Sequence, residues 1–214
     1  MSRHSSDIAF STAVKQVQRE RGSRAAYARM EKNGGFETTV TDELRDFLQD
    51  IDTAFLATAS ADGQPYVQHR GGPKGFIRAL DENTLAFVDF VGNRQFVSTG
   101  NLTENGRICL FLIDYARRRR VKVWGTARAV PATDDLIAKL LTANLAPPGH
   151  RMRPEQIILI SVNAWDANCP QHIPQKLDAA DVEAALARLQ ARIVELEAEN
   201  ARLRATVTPA GPAT

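Results

Sequence analysis

The spacing of apolar residues changes near residue 53, and that change divides the chain. Before it, Phe10, Val14, Val17, Tyr27 and Met30 fall at loosely helical intervals interrupted by Gly22-Ser23. This predicts two short helices, or a helix and an arm, packed on the main domain over 8–32. Asn33-Gly34-Gly35 breaks the pattern. Thr41 then caps a predicted helix: Asp42 and Glu43 suit the positive end of its dipole, and Leu44, Phe47, Leu48 and Ile51 form one apolar face.

Beyond residue 53 the pattern becomes strand-like. Segments 53–59 and 64–70 flank the turn Ala61-Asp62-Gly63 and predict a hairpin, as do 75–80 and 84–89 around Asp81-Glu82-Asn83. A short helix carrying Phe96, Val97 and Leu102 should end near Asn105-Gly106. Segment 107–114 is nearly continuous apolar, 121–130 alternates, 134–141 is helical, and 155–162 is a last buried strand. Hairpin-connected strands with few helices and no parallel βαβ unit predict a mainly β fold with flanking helices, a closed or half-closed antiparallel barrel of six or more strands rather than a Rossmann sheet.

Near the carboxyl end Val182, Leu186, Leu189, Ile193, Leu196, Asn200 and Leu203 are spaced alternately by four and three. Leu186, Ile193 and Asn200 then occupy a positions of a heptad, and Leu189, Leu196 and Leu203 occupy d positions. A helix lying on its own domain would also carry an apolar stripe. Asn200 can pair with its copy, however, and Arg192 with Glu197, like Glu199 with Arg204, have opposite charge across a parallel pair. These features predict a parallel two-stranded coiled coil over 178–206. Barely three heptads would be marginal alone, so the coil should add to a homodimer formed elsewhere. The expected organisation is a helical arm over 1–40, the barrel over 41–175, the coil, and a disordered tail over 207–214.

Composition narrows the function. The chain is 43% hydrophobic and 24% charged, as ordinary globular proteins are, and 27 basic residues against 25 acidic ones leave +2, which does not point to nucleic acid. The run Arg117-Arg118-Arg119-Arg120 falls between two strand patterns and reads as a solvated hairpin tip, with only Tyr115 nearby to stack on a base. No apolar run has the length of a membrane span or the character of a signal peptide, so the expected location is cytoplasmic. Cys109 and Cys169 make neither a disulfide framework nor a metal motif, and His4, His69, His150 and His172 are scattered.

Candidate chemistry concentrates in Gln68-His69-Arg70-Gly71-Gly72-Pro73-Lys74-Gly75-Phe76 and in Gly92-Asn93-Arg94-Gln95. Each places a cation, an amide and unencumbered backbone where a strand gives way to a loop. Glycines let main-chain N–H groups approach an anion, and arginine forks suit phosphate. The plainer alternative is turn-forming glycines beside solvated arginines. A Walker loop is excluded, because the first segment joins strand to strand and lacks the Ser or Thr after its lysine.

The strand order, the Arg70-Gly-Gly-Pro loop, Gly92-Asn93-Arg94 and the strand Val123-Trp124-Gly125-Thr126-Ala127 together resemble the pyridoxamine 5'-phosphate oxidase-like flavoproteins with the FMN-binding split-barrel fold. The resemblance covers 10–173, including Gly22-Ser-Arg-Ala-Ala-Tyr27 and Asn168-Cys-Pro-Gln-His-Ile173. It implies a homodimer with FMN at the subunit interface and a small-molecule substrate. By position it implies that Arg70 lies near the phosphate and ribityl chain, and that Asn93 and Arg94 grip the phosphate. Gln68, His69 and Gly71 would lie along the ring edge. Trp124 would either approach the flavin of the other subunit or fill the barrel. Cys169, Gln171 and His172 would lie near the ring or form an ordinary loop. Gln95 stands where the oxidases usually have a phosphate-binding lysine, which leaves Lys74 to compensate.

The arginine-containing segment that reads pyridoxal phosphate is replaced by the coil, so vitamin B6 oxidation is not expected. A flavin-dependent oxidoreductase with His69 or His172 as the first candidates for proton transfer is the leading expectation. The alternatives are a flavin-storing protein, a deazaflavin-dependent reductase, or a dimeric interaction module.

Overall fold

The computed structural model describes residues 4–141, 153–168 and 170–206. Along the chain these form a 3-10 turn (Ser5–Ile8), α1 (Thr12–Glu20), α2 (Arg24–Lys32), α3 (Asp42–Gln49), β1 (Thr53–Ala59), β2 (Pro65–Gly71), β3 (Arg78–Ala79) and β4 (Thr84–Phe90). They continue with α4 (Val97–Glu104), β5 (Arg107–Asp114), β6 (Arg119–Pro131), α5 (Asp134–Leu140), β7 (Pro154–Asn168) and α6 (Ala179–Thr206). The chain divides into two units: one of Met1–Asp114 with Arg118–Ile173, the other of Tyr115–Arg117 with Pro174–Thr214. No helix among the described residues is long and apolar enough to cross a membrane.

All strands of the first unit join one antiparallel sheet in the order β2-β1-β5-β6-β7-β4-β3. Period-two alternation sends Ala54 and Leu56 of β1, Ile108, Leu110 and Leu112 of β5, and Val121 and Val123 of β6 into one interior. There they meet Leu44, Phe47, Leu48 and Ile51, the face predicted for α3, whose first turn is capped as expected by Thr41 Oγ1 accepting from the Leu44 N–H at 3.4 Å. Each such fully buried Leu or Ile contributes about 1.5–3 kcal/mol. In a second cluster Leu140 of α5 packs with Ala86 and Val88 of β4 and Ile157 of β7. Apolar cover on both faces explains why β4 and β7 read as nearly continuous hydrophobic runs.

Among the described residues seven strands form, where six were the minimum expected. The predicted strand 75–80 shrinks to Arg78–Ala79, because Gly75 takes φ 78° and gives its N–H to the Ile51 carbonyl, while the Phe76 N–H closes a turn on Pro73. Conversely, β7 extends well past residue 162. It does so through a bulge: Trp124 faces Ala164 and Gly125 faces Val162, leaving Asn163 as the extra residue. A Cβ at Gly125 would collide with the Ser161 carbonyl oxygen, so this close approach requires glycine.

The arm departs from its apolar pattern. Val14 and Val17 are exposed, whereas Glu31 is buried and holds the arm together: Arg24 pairs with it, Lys15 lies 3.2 Å from it, and the Ser6 hydroxyl donates to it at 3.5 Å. Burial pushes the Glu31 carboxyl up, but the Arg24 and Lys15 cations hold it below the usual range. The arm docks through aromatics instead. Phe10 meets Phe36 edge-on at 5.4 Å, and Phe36 stacks parallel on Trp124 at 5.3 Å. Trp124 therefore lies on the outer face of β6 under the chain's own arm, and does not fill the barrel. The arginine run sits at the turn between β5 and β6 with Arg117, Arg118 and Arg119 exposed, as a solvated tip should be, and two of its members also make contacts. Arg118 donates to the Ile173 carbonyl at 3.1 Å, and Arg119 lies over the Phe47 ring at 5.2 Å and 3.5 Å from Glu43.

Candidate functional site: a polar cleft beside α4

Side chains link β2, at one end of the sheet order, to β4 and β7 near the other. Arg70 of β2 pairs with Asp89 of β4, both side chains largely buried, and Arg70 Nη2 also donates to Gln68 Oε1 at 3.0 Å. The buried Ser98 hydroxyl donates to the same Gln68 oxygen at 2.9 Å. On the other side Gln156 Nε2 of β7 donates to Asp89 Oδ2 at 2.9 Å and to Thr99 Oγ1 at 2.8 Å. Since Ser98 and Thr99 are adjacent, Ser98, Gln68, Arg70, Asp89, Gln156 and Thr99 close a ring joining β2, β4, β7 and α4. Buried polar groups satisfied by one another in this way fix their mutual positions.

Beside the ring lies a cleft of about 320 Å³, lined by Gln68, Arg70, Asp89, Asn93, Arg94, Ser98, Thr99 and Glu155 together with Phe90, Gly92 and Phe96. Its floor is the start of α4. Phe96, in the left-handed region at φ 53° and ψ 22°, occupies the cap position and has no side-chain acceptor for the first-turn N–H groups. Arg94 is also left-handed, at φ 60°. Asn93 Oδ1 accepts from the Gln95 N–H at 3.3 Å, which turns the chain into this conformation. The Arg94 guanidinium lies 5.6 Å from the Phe96 ring centre and 3.8 Å from Glu155, with its side chain 68% exposed. Among the described residues, Arg70 Nε in the cleft is a buried side-chain atom with no hydrogen-bond partner.

Chemically, the cleft offers donors with compensated charge. Arg70 is matched by Asp89 and Arg94 by Glu155, so an incoming anion meets guanidinium donors, the Thr99 hydroxyl and a helix N-terminus rather than a net positive field. The exposed Arg94–Glu155 contact is weak and yields readily, whereas the Arg70–Asp89 pair is held in place.

The structure brings together Gln68, Arg70, Asn93 and Arg94 of the sequence candidates. Strand alternation turns His69 to the opposite face of β2, where its ring meets Phe55 edge-on at 5.7 Å. Gly71 ends β2 opposite Thr53. Lys74 and Gln95 are exposed and do not line the cleft, nor does Trp124. Gln171 and His172 are exposed in a turn that closes from Ile173 N–H to the Pro170 carbonyl, with His172 left-handed at φ 64°. Cys169 lies outside the described residues. Sequence reasoning missed Asp89, Ser98, Thr99 and Glu155. The Ser98-Thr99 pair could have been found as hydroxyls in the first turn of a helix that lacks a capping residue.

A half-open antiparallel barrel with its polar cleft at the seam defines the split-barrel class. The sequence profile described as pyridoxamine 5'-phosphate oxidase matches residues 40–169, more than half of the chain, and the protein belongs to that family. None of the curated proteins matches it. Similar solved structures include HupZ of Group A Streptococcus, at 19% identity over 64% of this chain and 98% of that one, with a TM-score of 0.46. Others are an FMN-binding protein of Syntrophomonas wolfei (10% identity, 71% and 97% covered, TM-score 0.44) and the FAD-binding protein of Mycobacterium smegmatis (18%, 62% and 97%, 0.41).

Proposed function

We propose that the protein binds FMN with the phosphate in the cleft at the start of α4, and acts as a flavin-dependent oxidoreductase on a small molecule. The observation that carries this reading is the conjunction of an uncapped helix start with a buried, unsatisfied Arg70 Nε in one cleft of a family member. The donor set fits a phosphate: Arg94, the Asn93 amide, the Thr99 hydroxyl, whose proton is left free by its acceptor role toward Gln156, and the first-turn N–H groups would hold it. Gln68 and Arg70 would stand next along the bound molecule, positioned by the ring that ties them to Ser98 and Asp89. FMN supplies the hydride and electron transfer chemistry when bound, and the protein supplies orientation and donors.

A homodimer belongs to the same proposal. The cleft lies at the small end of the range for ligand pockets, so a second copy would complete the enclosure of a flavin ring. Outward from the sheet, Phe55 and Phe111 pair across β1 and β5, and Val67 of β2, opposite Ala57 and 59% exposed, lies one step along the same face, so the three make an apolar patch. A patch of this kind is suited to burial against another subunit.

Absorption of the purified protein, with mass identification of whatever it releases on denaturation, tests the reading. A flavin spectrum and released FMN are expected, followed by reoxidation kinetics with nicotinamide donors. Colourless protein that leaves the fluorescence of added FMN unchanged would overturn it, and a released deazaflavin would replace the cofactor.

A further inference from the structure

Helix α6 runs unbroken for 28 residues, Ala179–Thr206, and buries none of them. That length is four heptads, one more than the sequence spacing alone suggested. With Ala179 at a, the a positions are Ala179, Leu186, Ile193 and Asn200, and the d positions are Val182, Leu189, Leu196 and Leu203. Every d residue is Val or Leu, and Leu189 is 61% and Leu203 56% exposed. A stripe of this kind along about 42 Å of helix is costly to leave in water.

We infer that α6 pairs with α6 of a second copy as a parallel two-stranded coiled coil. Charge supports a second copy as the occupant. In a parallel pair Arg192 at g faces Glu197 at e of the other copy, and Glu199 faces Arg204, so both contacts attract and each occurs twice by symmetry. Within its own helix Arg192 donates to Glu195 at 2.9 Å, but both side chains are more than half exposed and the guanidinium keeps further donors. Charge does not decide direction, because an antiparallel pair can also match Arg192 with Glu199 and Glu183 with Arg204. Asn200 decides it. Any antiparallel alignment that sets a against d buries Asn200 on Val or Leu, whereas the parallel one sets it against its own copy, where the two amides pair.

The segment leading into α6 is anchored within the second unit. Gln175 Nε2 donates to the Ala116 carbonyl at 2.9 Å, and Lys176 Nζ lies 4.2 Å from the centre of the Tyr115 ring. The coil thus starts from a fixed root. The pairing is independent of whether flavin binds.

Cysteine cross-linking of the full chain tests both the pairing and its direction. Leu203→Cys at d is compared with Ala198→Cys at f and with the unaltered protein under a mild oxidant, on non-reducing denaturing gels. A parallel coil brings the two Leu203 positions within disulfide reach, whereas an antiparallel pair over most of the helix holds them about 25 Å apart. Cys109 should contribute little background, since burial pushes its thiol up, with Lys122 opposing only partly. The expected result is a covalent dimer with L203C and not with A198C. Absence of cross-linking in L203C, or equal cross-linking in both, would overturn the inference. Thermal melting of Leu189→Lys/Leu196→Lys followed by circular dichroism adds a second readout: loss of the helix transition with the barrel transition unchanged is expected, and an unchanged helix transition would overturn the inference.

Discussion

Arg70 and Asp89, 19 residues apart in the chain and on β2 at one end of the sheet order and β4, next to the other end, form an ion pair at the seam of the barrel. Because both side chains are largely buried, removing one partner strands the other. Asp89→Ala should cost about 3 kcal/mol. Denaturant unfolding should show a lowered midpoint, and a double-mutant cycle with Arg70→Met should show strong coupling between the sites.

Ligand binding should separate the two arginines. Arg94 is mostly exposed and held only by a long contact to Glu155, so Arg94→Ala should leave stability within about 0.5 kcal/mol of the parent. Flavin retention should fall about tenfold or more, as expected when a charged hydrogen bond worth 1.5–3 kcal/mol is lost. Arg70→Ala should lower both stability and retention, and the double variant should purify without flavin. Equilibrium titration followed by fluorescence quenching, alongside thermal unfolding, checks the separation.

At Gly125 the constraint is steric. Gly125→Ala drives a methyl group into the Ser161 carbonyl oxygen, where backbone rather than a flexible side chain must move. The cost should be about 1–3 kcal/mol, with distortion centred on the Asn163 bulge. Calorimetry and hydrogen exchange at Ser161 and Val162 measure it.

The arm should respond to acid. The Glu31 carboxyl lies below its unfolded value in the folded chain because Arg24 and Lys15 outweigh the cost of burial. Its stabilising contribution is therefore complete above the ordinary glutamate range and is lost as pH falls through the lowered folded value. Asp7, lowered by its hydrogen bond to Lys15, acts in the same direction. The arm should loosen as pH falls below the ordinary carboxylate range, reported by tryptophan fluorescence as the Phe36 stack on Trp124 separates, and Glu31→Gln should flatten that dependence.

The sequence was most informative where local chemistry and packing agree. Alternation with Asp62-Gly63 between the runs gave β1 and β2, and Thr41 followed by an apolar face gave α3. It was least informative where the deciding contact lies far along the chain. Nothing near residue 75 announces that its N–H belongs to Ile51, and nothing in 14–17 shows that the arm is tied down by a buried glutamate rather than by its valines. In the cleft, Arg70 and Arg94 stood out because cations beside glycines invite attention. Asp89 looked like the polar end of a strand, and only the closed sheet reveals its partner.

Ring closure through side chains has a mechanical consequence. The hydrogen bonds spanning β2, β4, β7 and α4 are not rungs of the strand ladder, so they can part while every strand pairing stays intact. The barrel thus carries a hinge-like slit beside its cleft that can breathe without unfolding, whereas the β1, β5 and β6 staves stay locked by their main-chain bonds.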